Sequence, residues 1–339
     1  MAKALIGKAF LSGYFKSPIQ LFGKPRIIVK NRLNKNLARI VASAIDRSDR
    51  NIDVEEEFTD VSTITLNLNG YDLDTFKALN ADVNTRRSGV FGLAYGSGTT
   101  PETLDDKNLV SGEYHVTANY WDIVEETDKT KILIASHHRP PKTFNCYEAA
   151  VGRITPRYNP HSRGLAFFSR VTFTTPITIT EGENRFDGWE IIFNNNFSKW
   201  FVRALLSAMI YNSEYIKDIN GNSFSILHKK PIQGMPKIRL GDGTTTPSPD
   251  DHGLSGSELA VLDATLSLTE DVTNDILRIS ARATFTPTSD LQVNEIALFT
   301  TVKDEAENLH EILVARYVFL ETQTLKAGTT YTVGIDLIF

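Results

Sequence analysis

The chain has few of the residues and segments that mark several common classes of protein. Its 339 residues include one cysteine, Cys146, and three methionines. No apolar run approaches the roughly 20 residues that a membrane-spanning helix needs. A single cysteine excludes a disulfide framework within the chain and a multi-cysteine metal site. The 41% of hydrophobic residues is ordinary for a protein that buries sizeable cores. We therefore expect no membrane insertion, and a chain of about two to three domains.

Acidic residues are missing from the start of the chain, which makes that region basic. Nine lysines and arginines precede the first acid, Asp46, although the whole chain has a formal net charge of −5. A basic segment on an acidic body is typical of docking onto an acidic neighbour. A merely solvated segment and nucleic-acid contact are the alternatives, and sparse arginine disfavours nucleic acid. We predict that residues 1–26 form a basic arm that binds a partner through Lys3, Lys8, Lys16, Lys24 and Arg26.

Parts of the sequence occur twice. Residues 27–45 and 191–209 are identical at seven of nineteen positions without a gap, and both place apolar residues at helical spacing. Each stretch predicts an amphipathic helix of three or four turns, with preceding asparagines as capping candidates. Three collinear matches indicate a tandem duplication. The other two matches pair 96–100 with 241–245 and 168–193 with 314–339.

The duplication divides the chain into two units that share a strand near 191–193. We predict unit one over 27–193, unit two over 191–339, and the basic arm over 1–26. The remainder of each unit alternates apolar and polar residues, which indicates strands with one buried face. The predicted fold is therefore mainly β, with two tandem antiparallel β-sandwich units that each carry one amphipathic helix.

Turn signals separate several of these strands. Asn69-Gly70 and Asn220-Gly221 are typical of hairpin turns, and residues 325–329 predict the turn between the last two strands. Unit one is longer, with about 18 extra residues between its helix and its Gly-Thr turn.

No group of residues forms a recognisable catalytic or metal-binding motif. Adjacent His137 and His138 would point to opposite faces of a strand, so they cannot easily bind one metal ion. Because they lie near the break at Arg139-Pro140-Pro141, we interpret them as surface histidines. Cys146 has no nearby base in the sequence and is interpreted as a buried structural thiol. The glycine turns and the pairs Asp105-Asp106 and Asp250-Asp251 are interpreted as turns or helix caps, with phosphate or calcium binding as the weaker reading. We expect no cofactor, no metal and no enzymatic activity.

Two carboxylates lie at matching places in the two units. Glu148 and Glu295 each occur inside an apolar strand. Such a residue could supply half of an acid–base pair, but a structural hydrogen bond or ion pair is the favoured interpretation. The predicted partners are Arg170 and Arg316.

Three sequence features in fixed order define a module in unit two. An Asn-flanked helix and a strand lead into Gly-Asp-Gly-Thr-Thr-Thr-Pro-Ser and Asp250-Asp251. The stretch 294–299 (Asn-Glu-Ile-Ala-Leu-Phe) comes next, and 313–316, the turn at 327–329 and a final alternating strand close the module. This order resembles a module of structural proteins in the virions of tailed double-stranded DNA bacteriophages. Unit one keeps the Gly-Thr turn and the closing strands, but has Ala149-Ala150-Val151 where unit two has Ile296-Ala297-Leu298.

The resemblance implies a structural role in the virion, at the neck, tail or capsid exterior, and no catalytic residues. We expect a cyclic homo-oligomer, such as a neck or tail ring or a collar, that also contacts a portal, adaptor or tail protein. The alternative is a capsid decoration or fibre protein that binds host glycans through Tyr120, Trp121 and Tyr158. A glycan hydrolase is the weakest hypothesis, because no catalytic carboxylate pair can be named.

Overall fold

Strands dominate the chain in a computed structural model of the protein. The structure describes residues 3–17, 27–46, 50–56, 63–68, 91–103, 105–106, 109–156, 163–210, 214–226, 232–271, 274 and 276–339. Within these residues there are twenty strands and two helices, so the prediction of a mainly β protein is confirmed. The helices are α1 (Lys35–Ile45) and α2 (Lys199–Ile210). The strands are β1 (Lys3–Ser17), β2 (Ile27–Leu33), β3 (Arg50–Glu56), β4 (Thr63–Leu68), β5 (Phe91–Gly96), β6 (Gly112–Thr117), β7 (Tyr120–Glu126), β8 (Lys129–His138), β9 (Phe144–Pro156), β10 (Arg163–Ile179), β11 (Arg185–Asn194), β12 (Tyr215–Lys217), β13 (Ser223–Ser225), β14 (Ile232–Gly241), β15 (Glu258–Asp263), β16 (Thr265–Asp271), β17 (Ile276–Phe285), β18 (Leu291–Lys303), β19 (Leu309–Leu325) and β20 (Tyr331–Ile338).

The same order of strand pairing occurs in the two halves of the chain. In unit two, β15, β14, β18 and β19 form a four-stranded sheet in that order. In unit one, β6, β5, β9 and β10 are paired in the corresponding order. A second set follows the same rule, since β16-β17-β20 in unit two corresponds to β7-β8-β11 in unit one. Adjacent strands in both sets are antiparallel, as the alternating sequence pattern predicts.

The amino-terminal segment is part of the chain's own sheet. The first half of β1 pairs in parallel with β20, and its second half pairs antiparallel with β11. One strand therefore connects unit two to unit one. Its burial pattern explains why it forms a strand, because Leu5, Ala9 and Leu11 are buried at alternate positions. Residues 1–26 were assigned to a basic arm from their charge, and that assignment did not use the period-two pattern of small and apolar residues.

The pairing of β1 is symmetric about Leu11. Lys8 lies opposite Asp336 in β20, and Tyr14 lies opposite Glu190 in β11, each three positions from Leu11. Glu190 and Asp336 are themselves equivalent, being 146 positions apart. β1 thus runs parallel to β20 of unit two and antiparallel to β11, the equivalent strand of unit one. This arrangement indicates an approximate two-fold relation between β20 and β11.

The helices begin at polar caps and pack where the two units meet. The side chain of Asn34 accepts the backbone N–H groups of Asn36 and Leu37, which confirms the predicted asparagine cap of α1. At α2 the prediction of an asparagine cap is wrong, since the Ser198 hydroxyl accepts the N–H of Trp200 at 3.3 Å. Beyond its own unit, α1 contacts β14, β16, β17 and β18 of unit two.

Two of the predicted turns are confirmed. Gly221 has φ of 80° in the turn between β12 and β13, and Gly328 has φ of 72° between β19 and β20. Glycine adopts these angles without the steric cost that other residues meet. Asn69-Gly70 lies outside the described residues. Among the described helices, neither is long and apolar enough to cross a membrane.

Candidate functional site

The structure brings Glu295 and Arg316 together in a buried cluster in unit two. Glu295 lies on β18 and Arg316 on β19, and their side chains are 0% and 1% exposed. The distance between Arg316 Nη1 and Glu295 Oε2 is 2.8 Å. The Glu295 carboxylate also accepts the backbone N–H groups of Gly243, Ser255 and Gly256 at 3.2, 2.9 and 2.9 Å. One carboxylate thus holds two separate loop segments against the sheet.

Arg316 extends this cluster to a third loop segment. Its Nε donates to Asp251 Oδ2 at 2.9 Å, and Nη1 donates to the carbonyl of Thr245 at 3.0 Å. Every nitrogen of the guanidinium has a partner, which is what a buried charge requires.

An equivalent cluster occurs in unit one around Glu148 and Arg170. Arg170 Nη2 lies 2.8 Å from Glu148 Oε2, and the two side chains are 1% and 0% exposed. The carboxylate accepts N–H groups of three loop residues: Gly98 at 3.0 Å, Val110 at 3.0 Å and Ser111 at 2.7 Å. Arg170 also donates to Asp106 at 2.9 Å and to the carbonyl of Thr100 at 2.8 Å.

The two clusters match residue by residue along the sequence. Loop residues are related by an offset of 145, which pairs Gly98 with Gly243, Thr100 with Thr245 and Asp106 with Asp251. The glutamates differ by 147 and the arginines by 146 positions. The orientation of the guanidinium differs, because Nε faces Glu148 in unit one but Asp251 in unit two. The Ser255 hydroxyl also donates to Glu295, whereas unit one has Val110 at the equivalent position. The duplicated residues therefore perform the same structural task twice.

Glycine is required where each loop crosses its glutamate. A β-carbon at Gly98 would overlap Glu148 Oε1, and one at Gly243 would overlap Glu295 Oε1. The close approach of backbone and carboxylate explains the glycines of the Gly-Thr turns, which the sequence pattern had indicated as tight turns.

Each cluster is joined to the start of a helix. The Asn34 amide donates to the carbonyl of Asp106 at 3.0 Å, and the Ser198 hydroxyl donates to the carbonyl of Asp251 at 2.8 Å. The residue after each cap forms an ion pair with an aspartate of the same loop. Lys35 pairs with Asp105, and Lys199 pairs with Asp250. The adjacent aspartates Asp105-Asp106 and Asp250-Asp251 therefore connect each loop to the start of a helix.

The same two lysines also connect the units reciprocally. Lys35 of unit one lies 2.6 Å from Glu270 of unit two, and Lys199 of unit two lies 2.9 Å from Glu125 of unit one. Glu125 and Glu270 are equivalent, 145 positions apart. Burial opposes ionisation of Glu125, but hydrogen bonds from Lys199 and Arg203 lower the pKa of its carboxyl below the usual value.

The glutamate and arginine of each cluster are closed to solvent. Both glutamates are fully buried and bonded to backbone N–H groups and a guanidinium. The partner aspartates Asp106 and Asp251 are 13% and 24% exposed, and each is held by the arginine of its cluster. Among the described residues, no group of three or more His, Cys, Asp and Glu side chains could hold a metal ion.

The residues proposed for the arm lie in different situations. Lys3 and Lys8 are exposed on β1, and Lys16 lies in the same strand. Lys24 and Arg26 fall outside the described residues. The exposed lysines are therefore carried by an ordered strand.

Two of the three candidate glycan-binding residues are described. Tyr120 is 36% exposed, and its hydroxyl donates to Asp122 at 3.0 Å. Trp121 packs against the main hydrophobic core with its indole nitrogen buried. Tyr158 lies outside the described residues. Tyr120 is the accessible aromatic of the described pair.

The interpretation of His138 as a surface histidine is wrong. His137 is exposed, but the side chain of His138 points inward and is only 7% exposed. It contacts Tyr114, whose hydroxyl lies 3.1 Å from His138 Nε2. Cys146 is buried, as predicted, and burial raises the pKa of its thiol to about 12.

Sequence reasoning missed the polar group to which His138 belongs. Tyr95 donates to Asp187 at 2.8 Å, and Arg185 holds the same carboxylate through two nitrogens at 3.1 and 3.2 Å. A signal was present, because unit two has apolar residues at matching positions, for example Leu240 for Tyr95 and Val333 for Asp187. A position-by-position comparison of the two units would have found it.

No protein family, no curated protein and no solved structure matches this chain.

Proposed function

We propose that this protein is a non-enzymatic structural component of a phage-like virion. In this proposal it assembles through subunit interfaces into a neck or tail ring or a collar, and β1 docks onto a neighbouring virion protein such as a portal, adaptor or tail protein. The chain would be two tandem antiparallel β-sandwich units, each with one helix.

The observation that carries the proposal is the equivalence of the two Glu–Arg clusters. The residues on which the phage resemblance depends, including Glu295, Arg316 and Asp251, are the ones that form the buried cross-links of unit two. Unit one repeats these cross-links through Glu148 and Arg170. The conserved order of motifs in the two units therefore corresponds to residues that link loops to strands. This supports a structural role for the protein and not an enzymatic one.

The position of β1 supports a role for its lysines in assembly. Lys3 and Lys8 lie exposed on a strand that spans both units, so they project from an ordered surface. An ordered basic surface binds an acidic neighbour with less loss of conformational entropy than a free arm. The partner would therefore carry acidic residues at the contact.

The test is the mass of the purified full-length protein in solution, measured by light scattering at low and moderate salt. Deletion of residues 1–26 would remove a strand of the sheet, so charge reversal is the better perturbation. We expect a large, discrete cyclic oligomer that weakens in Lys3→Glu/Lys8→Glu. The matched control is Lys142→Glu/Lys326→Glu, which makes the same charge change at exposed lysines on other surfaces.

A monomer or trimer that ignores both salt and charge reversal would contradict self-assembly through β1. Mass spectrometry of purified particles tests the virion location independently, since a ring protein is expected there in fixed stoichiometry. A glycan-binding protein would instead lose ligand in Tyr120→Ala. Trp121→Ala is a poor probe, because it removes a side chain that packs against the core.

A further inference from the structure

One end of unit one contains a buried group of titratable side chains that unit two lacks. Tyr95 on β5, Tyr114 on β6, His138 on β8 and Asp187 on β11 contact one another across the two sets of strands. The rings of Tyr95 and Tyr114 are stacked, with centroids 4.8 Å apart. Strands that are distant in the sequence are thus held together here by polar contacts.

The strand registers identify the equivalent residues of unit two, and these are apolar. His138 pairs with Arg185 in the same way that Phe285 pairs with Tyr331. Tyr95 pairs with Tyr114 as Leu240 pairs with Ala260. The two units therefore offer a built-in comparison between a titratable and a non-titratable version of one contact.

The charge of Asp187 is already compensated without His138. Arg185 binds both oxygens of the carboxylate, and the Tyr95 hydroxyl donates to one of them. Asp187 is 0% exposed, and its Oδ2 lies 3.9 Å from His138 Nε2. Arg185 also pairs with Glu183 at 2.7 Å, but that carboxylate is 33% exposed and is therefore screened by solvent. A proton on His138 would thus place a further positive charge beside a buried Asp187–Arg185 pair that is already neutral.

The hydrogen bonding of His138 leads to the same conclusion. Its Nε2 lies beside the Tyr114 hydroxyl, whereas its Nδ1 is buried without a well-formed hydrogen bond. A neutral imidazole has one N–H group, but the charged ring has two donors. Whichever tautomer is present at neutral pH, protonation leaves a buried donor poorly satisfied.

We propose that protonation of His138 opens this end of unit one, so that the contact between its two sets of strands is sensitive to protons while the equivalent contact in unit two is not. The opening is local and separates β8 from β6 at the Tyr114–His138 contact.

The direction of the pH dependence follows from the surroundings of His138. Burial, the largest influence, lowers the pKa of His138 below its usual value of 6.5. Arg185 and His137 act in the same direction, while Asp187 and the backbone of Ser136 oppose them. The open form thus binds the proton more readily than the closed form. The closed form has its full stability above about pH 6.5 and loses it as the pH falls.

Cys146 supplies a reporter of this opening. It is the single cysteine of the chain and is 1% exposed on β9. It lies two positions from Phe144, whose ring centroid is 5.8 Å from that of Tyr114. The measurement is the rate of reaction with 4,4′-dithiodipyridine, divided by the rate for the urea-unfolded chain at the same pH. We expect this ratio to rise from pH 7.5 to 5.5, by up to about tenfold per pH unit.

The variants separate His138 from other groups. His138→Phe installs the residue that unit two has at the matching position, and His138→Gln keeps a polar group that never becomes charged. Both are expected to remove the pH dependence, so one suffices if the other fails to fold. His137→Phe changes the exposed neighbour and is expected to keep the dependence. A wild-type ratio that is constant with pH, or a rise that persists in both His138 variants, would overturn the proposal.

Hydrogen exchange at pH 7.5 and 5.5, corrected for the intrinsic rate, tests whether the opening is local. We expect β6 and β8 to gain exchange at the lower pH while β15 and β17 of unit two do not. Equal gains in both units would mean general acid unfolding and would also overturn the proposal.

Discussion

The two units retain one arrangement of residues and differ in another. Both keep a buried glutamate, a buried arginine and the loop that crosses them, with matching partners at 2.7–3.2 Å. They differ at the end of unit one where Tyr95, His138 and Asp187 occupy positions that are apolar in unit two. A buried polar cluster is stable only when every member has its hydrogen-bond partner, so its charged residues are the same in both units. Positions that only fill space can be polar in one unit and apolar in the other.

The largest expected effect comes from removing one partner of a buried ion pair. Arg170→Ala and Arg316→Ala each leave a buried glutamate uncompensated, and we expect each to lower the free energy of unfolding by about 3–5 kcal/mol. Urea-induced unfolding measures this loss. Lys326→Ala, in an exposed pair with Asp290, is the control and should change nothing measurable.

Equal losses in the two units would strengthen the equivalence of the clusters. A double change of Glu295→Gln with Arg316→Met should cost less than Arg316→Ala alone. The amide oxygen still accepts loop N–H groups, no fully buried charge remains, and Asp251, the other partner of Arg316, is partly exposed. A double variant as unstable as the single one would show that packing, and not charge, dominates the cluster.

The next effect concerns the loop glycines. Gly98→Ala and Gly243→Ala place a methyl group against the glutamate, and we expect losses of about 1–3 kcal/mol from the resulting displacement. Thermal unfolding compares them with Gly112→Ala, where the nearest atoms lie 3.9 Å from an added β-carbon. If all three variants melt together, the glycines are not needed for the close approach.

The helix caps should show a smaller effect. Asn34→Ala and Ser198→Ala remove caps that also hold a loop carbonyl, and losses of about 0.5–2 kcal/mol are expected. Asn34 accepts two N–H groups and Ser198 one, so the change at Asn34 should be the larger. Urea titration followed by circular dichroism measures both, and Asn34→Ser, which keeps a capping oxygen, is the control. An Asn34→Ala variant with the same free energy of unfolding as the wild type would contradict the capping role.

The reciprocal contacts between the units should have the smallest effect. A double-mutant cycle with Lys35→Met and Glu270→Gln measures one contact, and a cycle with Lys199→Met and Glu125→Gln measures the other. Partly exposed pairs are worth about 1 kcal/mol or less, and salt should weaken both couplings. Because the pKa of Glu125 is lowered, its contact is present above about pH 4.3 and is lost in acid. A coupling energy in one cycle but not in the other would contradict the two-fold relation between the units.

Local patterns predicted the helices and the duplication well. Apolar spacing over 27–45 and 191–209 gave helices that the structure places at Lys35–Ile45 and Lys199–Ile210. The matching glutamates and arginines could be singled out because both copies are short motifs with the same order. Helical periodicity and repeated motifs are properties of neighbouring residues, so they can be detected without the fold.

Other features depend on segments that are far apart in the chain. The strand character of β1 was missed because its buried positions include two glycines and one alanine, and its partners β11 and β20 occur much later. His138 was assigned to the surface because it lies beside the strand break at Arg139-Pro140-Pro141. Its burial comes from Tyr114 and Asp187, which belong to other strands.

The sequence by itself determined the mainly β class, the two helices, the repeated order of motifs and the residues of the Glu–Arg clusters, since each depends on local periodicity or on direct comparison of the two copies. Only the tertiary structure decided that β1 joins the units, that Lys35 and Lys199 pair with acids of the opposite unit, and that His138 is buried beside a compensated carboxylate. The reason is physical. Burial and charge compensation depend on which distant strands come together, and strand pairing is set by non-local contacts that no single segment encodes.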